Sequence, residues 1–359
     1  MERFGRCEND EHCINQIDLV WGLKLLDQYI ITRNRQKLSE EISFRNRMLT
    51  MGEILDNPPK AKSDEFSQVR PVKDLEKKLV YLDFGVYQFY ENEEAFSKML
   101  EGYTENYQFI YSPAHIEEVC RMNDQQYEEK RCESILKLCN NIEALPVDDG
   151  IRVVFEPIEE CLGRAKKFLN LNEAAEKNDC AKFENLDDEM CQVLKWDTET
   201  LTHNREALSS FTLLDLIADK SDIITNKDIE TIFHIICLSE ASIESFNDYC
   251  KQKRTFHETR LAIRQLYLLM NALGIHRNKI EGTTKFNYKA LYPSYDRKFY
   301  RTIRSGFYDV EHLSYASISD YFITCDRNLS YQAKEIYKYL GLGTKVIYCD
   351  KNNYSAGLL

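Results

Sequence analysis

Residues 309–329 read Asp309-Val-Glu-His312-Leu-Ser-Tyr-Ala316-Ser-Ile-Ser-Asp-Tyr321-Phe-Ile-Thr324-Cys-Asp326-Arg-Asn-Leu329. The stretch changes period part-way along, and that change decides the fold. Val310, Leu313, Tyr315, Ala316 and Ile318 recur at roughly helical spacing. Tyr321-Phe322-Ile323-Thr324 is then short, aromatic and β-branched, the composition of a buried strand. Asp309 falls near the start of the helix and Asp326 just past the strand. In open α/β sheets chemistry gathers at the carboxyl ends of strands. Asp326 therefore stands where a metal ligand belongs, and an acid carried by the preceding helix can join it.

The same grammar appears upstream. Leu79-Val80-Tyr81-Leu82 is a buried-strand run closed by Asp83, and Gly85 helps turn the chain into a helix. A helical segment over about 92–101 leads to a second strand, Gln108-Phe109-Ile110-Tyr111. Ser112-Pro113 then starts a helix, with Ser as the cap and Pro at the first position. Glu117 and Glu118 lie in its second turn, about 100° apart round the axis, so one of them faces away from any shared site. This β–α–β–α order predicts a parallel sheet. After residue 290 the pattern resumes: a helix near 294–318, the 321–325 strand, a helix over 329–340 ended by Gly341-Leu342-Gly343, and a last strand at 345–349.

Four regions follow. Residues 1–72 form an N-terminal helical arm, periodic over 14–56, and a Pro-rich linker. Residues 73–125 form the first half of the α/β domain, 126–293 a mostly helical insertion, and 294–359 the second half. Segments 122–144, 157–176, 183–194, 205–219, 227–250 and 256–274 carry helical periodicity, and Ile151–Phe155 is the one clear strand between them.

The chain has 359 residues and a net charge of −12, which argues against a general nucleic-acid coat protein but not against an enzyme with an acidic centre. It has no apolar run of the ~20 residues that span a bilayer, and its N-terminus does not read as a secretory signal. Twelve scattered cysteines without a Cys-x-x-Cys pair read as reduced thiols of a cytoplasmic protein. Cys7, His12 and Cys13 resemble half a zinc site that lacks its other half.

Asp83, Glu118, Asp309 and Asp326 thus fall at strand ends or in the helices beside them. Carboxylates converging on one point repel unless a cation sits among them. Mg2+ and Mn2+ prefer such oxygen ligands, and the bound ion polarises a phosphoryl oxygen and acidifies a water, the chemistry of phosphodiester hydrolysis.

The motifs resemble the PIN-domain nuclease family, in family order. Leu79-Val-Tyr-Leu-Asp83-Phe-Gly-Val86 is similar to its first strand, and Ser112 with Glu118 six residues later to its second motif. Asp309-x-x-His312-x-x-x-Ala316 and Thr324-x-Asp326 are similar to its closing helix and strand. The resemblance covers roughly 77–125 and 300–350. It implies a three-layer α/β/α fold around a parallel sheet, and a Mg2+- or Mn2+-dependent endoribonuclease whose metal is held by the four carboxylates. It further implies that Thr324 orients the cluster and that Ser112 and His312 support it from behind. A toxin or anti-phage effector role fits the family, as does a regulatory protein partner on the insertion or the N-terminal arm. Two other readings stand beside this one: a non-catalytic PIN-like interaction module, and a structure-specific nuclease acting on DNA.

Arg297, Lys298, Arg301 and Arg304, interleaved with Tyr295, Phe299 and Tyr300, suit either an RNA contact or a solvated basic face. Lys251, Lys253, Arg254, Arg260 and Arg264 read as a solvated face, and Arg277 and Lys279 beside His276 as a weaker cluster. Cys325 reads as a small buried side chain.

Overall fold

In chain order the elements are β1 (Arg70–Pro71), β2 (Lys78–Leu82), α1 (Phe84–Asn92), α2 (Glu94–Tyr103), β3 (Tyr107–Ile110), α3 (Pro113–Arg121), α4 (Gln125–Cys139), β4 (Ile142–Val147) and β5 (Gly150–Phe155). Then come α5 (158–166), α6 (Leu186–Leu194), α7 (Thr198–Leu208), α8 (Leu213–Ile217), α9 (Asn226–Cys237), α10 (Phe256–Leu273), α11 (Tyr295–Ala316), β6 (Tyr321–Thr324), α12 (Arg327–Leu340) and β7 (Lys345–Tyr348). This computed structural model describes residues 70–72, 76–122, 124–147, 150–166, 186–237, 248, 254–275, 295–350, 354 and 359. The helical arm, the Cys7–His12–Cys13 group and most of the linker lie outside them, as do Lys251, Lys253, His276, Arg277 and Lys279.

Four strands make one parallel sheet in the order β3-β2-β6-β7. Val80 pairs with Tyr321 and Leu82 with Ile323, so segments some 240 residues apart lie side by side. Side chains alternate across this sheet, as the period of two requires. Tyr81, Ile110 and Phe322 enter one buried core, while Val80, Leu82, Phe109 and Ile323 enter the other. Helices α6 to α12 contribute to the first core, and α1, α2, α4 and α5 to the second. Both faces are therefore covered by helix, which is why the strands read as unbroken apolar runs. The result is a mixed α/β architecture, mostly helical, with a four-stranded parallel sheet at its centre.

The long middle segment shares the sheet's core. Helix α10 begins with a reciprocal cap between Thr255 and Glu258 and ends at Gly274, whose φ of 74° suits glycine. Its Ala262, Ile263, Leu266 and Met270 pack in the same core as Leu313 and Phe322. Arg260, buried, donates to Glu311 of α11 at 2.5 Å. Arg264 is also buried, and Arg254 donates to the Leu340 carbonyl at the end of α12. The described part of this basic cluster is thus not the solvated face expected from charge alone. Its arginines serve helix packing and a helix C-terminus.

Three further expectations change. The helix expected over 122–144 ends at Asn140, which adopts the left-handed conformation at φ 50°, and the chain continues as strand β4. β4 pairs antiparallel with β5, and Arg70–Pro71, assigned to the linker, pairs with β5 on its other side. Glu143 masked this strand because it sets a fully buried acid inside an otherwise apolar run. The segment 205–219 is broken at Thr212, which caps α8 through the Asp215 amide. Finally, Asp309 lies beyond the middle of the 22-residue helix α11, not near its start.

Arg131 of α4 is fully buried and anchors this helix to α1. It donates to Glu91 at 2.5 Å and to the Phe84 carbonyl at 3.2 Å, with its guanidinium over the Phe84 ring. Removing one partner of a buried pair leaves an uncompensated charge, at a cost of about 3–5 kcal/mol. Glu91→Ala is expected to lower the unfolding free energy by about that amount in urea titration.

Candidate metal centre

Each of the four carboxylates is placed by its own element. Asp83 follows β2 directly, and its amide donates to the Ile323 carbonyl at 2.8 Å, which ties it to β6. It caps α1: Oδ1 accepts from the Phe84 amide at 2.8 Å. Oδ2 accepts from Thr324 Oγ1 at 2.8 Å. Thr324 is fully buried, and its oxygen also accepts from the Asp326 amide at 2.9 Å. Asp326 in turn caps α12, with Oδ1 accepting from the Leu329 amide at 2.9 Å. Asp83 and Asp326 thus sit at two helix N-termini, where the dipole favours negative charge, joined by one threonine hydroxyl.

Asp309 comes from α11 and Glu118 from α3. Tyr267 of α10 donates to Asp309 Oδ2 at 2.6 Å, so the middle segment supplies part of the site. Glu118 accepts from His312 Nε2 at 2.7 Å. Its neighbour Glu117 is fully buried beside Tyr308 and faces away, as the helical spacing requires.

Behind Glu118 runs a buried polar chain. His312 Nδ1 lies 2.8 Å from the Tyr81 hydroxyl, which lies 2.7 Å from Ser112 Oγ. The Ser112 amide donates to His115 Nδ1 at 3.1 Å. His115 Nε2 therefore carries the proton and donates to the Leu82 carbonyl at 2.7 Å. The two imidazole centres lie 4.7 Å apart with their planes tilted by 60°.

Electrostatics shows that the acids feel one another. Burial lifts Asp83 above the usual carboxylate range, against the charge of His312 and the Thr324 hydrogen bond, while Glu118 and Asp326 add to the rise. Burial lifts Asp309 well above that range, against the Tyr267 hydrogen bond, with Asp83, Asp326 and Glu118 adding to it. Among the described residues no lysine or arginine forms an ion pair with any of the four, and His312 on Glu118 is their one basic partner. The donor set is all oxygen, and among the described residues only His312 offsets its negative charge. That combination fits a divalent cation that keeps some of its waters.

A second acidic group is tighter. Glu143, Glu156 and Cys161 place their ligand atoms within 4.8 Å of one another, all buried, a spacing that no three of the four carboxylates meet. Glu156, however, already holds Arg164 through both oxygens. Burial, the hydrogen bond to Glu156 and the charge of Glu156 push Glu143 well above the usual range, so it keeps a proton. One guanidinium and one proton neutralise this group, which ties α5 to the β4–β5 hairpin.

Asp83, Thr324, Asp326, Glu118, Asp309, His312 and Ser112, all chosen from sequence, come together at one edge of the sheet. The side chains of Arg297, Lys298, Arg301 and Arg304 lie outside the described residues. Cys325 is half-buried with its sulfur 3.2 Å from that of Cys349. Tyr267 and Tyr81 were not anticipated. Each sits in an apolar run, and nothing in such a run marks a working hydroxyl.

Comparison with protein-family models, with curated proteins and with solved structures finds no match. Among the described residues no helix is long and apolar enough to cross a membrane.

Burial by itself would lower His312. The hydrogen bond and charge of Glu118, with the charges of Asp83 and Asp309, outweigh it and hold the imidazole above its ordinary value. Burial and the charge of His312 hold His115 well below that value. The charged His312–Glu118 pair stabilises the fold fully below the ordinary imidazole pKa of about 6.5, and this contribution fades as pH rises through the raised value. In a nitrogen-detected NMR titration of the metal-free protein, His312 is expected to titrate above the ordinary value and His115 to stay neutral. Glu118→Gln is expected to bring the His312 midpoint down.

Proposed function

We propose that the chain is a divalent-metal-dependent endoribonuclease with a PIN-like catalytic domain, acting in the cytoplasm. The observation that carries this reading is the convergence of Asp83, Glu118, Asp309 and Asp326 from four separate elements on the carboxyl end of a parallel sheet. Two α/β halves distant in sequence meet in adjacent strands there. RNA as the substrate rests on the resemblance of those motifs.

On this reading the four carboxylates hold Mg2+ or Mn2+ directly or through water. The bound ion supplies charge against the phosphoryl oxygens and acidifies a water nucleophile. The protein's own contribution is orientation. Thr324 fixes the Asp83 rotamer and the Asp326 backbone together. Tyr267 holds Asp309, and His312 holds Glu118, each leaving the other carboxylate oxygen for a ligand. The Tyr81–Ser112–His115 chain locks His312 from behind. Outer partners of this kind are worth about 10–100-fold in metal affinity or activity.

The test is a cleavage assay on single-stranded RNA, folded RNA and DNA with Mg2+ or Mn2+. Asp83→Asn and Asp326→Asn are expected to lose cleavage by more than about 100-fold, since they remove ligands rather than outer partners, with unchanged circular dichroism. Thr324→Val is expected to raise the metal concentration needed for half activity by about 10–100-fold. Full activity in both Asp variants removes the reading, and cleavage of DNA but not RNA replaces the substrate.

A further inference from the structure

The face of α12 that points to solvent starts at the carboxylate site. Arg327 is the residue after Asp326, and Tyr331, Lys334 and Lys338 follow at four, three and four residues. At 100° per residue these four positions fall within an arc of about 60°. All four are exposed, while Leu329, Ala333, Ile336, Tyr337 and Leu340 on the other side enter the core. The stripe is therefore not needed for packing.

Its composition is specific. Tyr331 is 40% exposed, and among the described residues it is the one aromatic side chain in the exposed class. Arg327 lies 5.9 Å and Lys334 5.8 Å from the centre of its ring. Among the described residues none of Arg327, Lys334 and Lys338 forms an ion pair with a carboxylate. Arg327 hydrogen-bonds Tyr331, and acids nearby are Asp326, the residue before it, Asp350, whose charge acts on it, and Glu335, one residue round the helix from Lys334. A helix face serving only solubility has no use for a large ring held in water between two cations. In a chain of net charge −12, three cations thus line one helix face beside an exposed ring.

We propose that this face of α12 is the track for the substrate strand: a single-stranded nucleic acid lies along it, one base stacked on Tyr331 and its phosphates against Arg327, Lys334 and Lys338. The proposal rests on the nuclease reading of the carboxylate site and specifies where the strand leaves that site. From Arg327 to Lys338 the track runs about 16 Å, at 1.5 Å per residue. Stacking needs an accessible base, so a single strand fits this face and a duplex does not. Phosphates met by cations make the binding salt-dependent, with a slope set by the number of contacts.

The experiment measures binding apart from cleavage. Full-length protein carrying Asp83→Asn is titrated into a fluorescent single-stranded oligouridine, with fluorescence anisotropy as the readout and duplex RNA as the second probe. Tyr331→Ala is expected to weaken binding by about tenfold, within the range for loss of one stacked base, and Tyr331→Phe to retain it. Lys334→Ala with Lys338→Ala is expected to reduce the slope of log affinity against log salt by about 0.7 for each lysine. Lys98→Ala, an exposed lysine on Glu94 of α2, which packs in the core on the other face of the sheet from α12, is expected to change neither. All of these are surface changes on a helix, and circular dichroism reports that it still forms. Unchanged affinity and slope in the Tyr331 and lysine variants, or tighter binding of duplex than of single strand, overturns the track. If the parent protein cleaves RNA while those variants bind normally, the track falls and the nuclease reading stands. If it binds through α12 but cleaves nothing, the reverse holds.

Discussion

Everything in this structure depends on β2 lying beside β6. The pairing of Val80–Leu82 with Tyr321–Ile323 closes a loop of some 240 residues. Loop closure costs little more for each doubling of length, so the long excursion is tolerated provided the strands and the helices over them bury enough apolar surface. They do so on both faces, and the ladder then extends one step past the strands. The Asp83 amide donates to the Ile323 carbonyl, and Thr324 reaches across to the Asp83 carboxylate. The register that pairs the strands thus also sets Asp83 and Asp326 side by side. A slip of one residue in β6 would turn Thr324 to the other face and break that link.

The second constraint is charge. Four carboxylates share the carboxyl end of the sheet, and among the described residues one imidazole is their basic partner. Burial and mutual repulsion raise Asp83 and Asp309, so the site favours a positive charge among them. Helix N-termini at Asp83 and Asp326 soften the repulsion but do not cancel it. The Glu143–Glu156 group is the internal contrast. It holds acids closer still, yet an arginine stands among them, and the charge there is already balanced. The difference between a structural ion pair and a candidate ligand set lies in which positive charge the fold provides.

The sheet was legible because its strands are buried on both faces and end in capping residues. Leu79–Leu82 and Tyr321–Thr324 are unbroken apolar runs, and Asp83, Ser112 and Asp326 each mark a turn into a helix. Three acids of the site were legible for the same reason: Asp83 and Asp326 are caps, and Glu118 sits within two turns of Ser112. Strand β4 was hidden by buried Glu143, whose partners Glu156 and Arg164 are distant enough in sequence that nothing local explains a charge there. The arginines of α10 looked solvated because their burial depends on α11 and α12 packing over them. Tyr267 was hidden by the leucines around it. The Arg327, Tyr331, Lys334 and Lys338 stripe shows only once α12 is known to begin at Asp326 and its buried side is known.

The central claim is that the fold builds one divalent-cation site from Asp83, Glu118, Asp309 and Asp326. The most direct measurement is anomalous diffraction at the manganese edge from crystals grown in millimolar Mn2+. The account requires an anomalous peak at the carboxyl end of the parallel sheet, with oxygens of Asp83 and Asp326 roughly 2.1 Å away. A peak among Glu143, Glu156 and Cys161 instead, or none at the sheet edge, would contradict it.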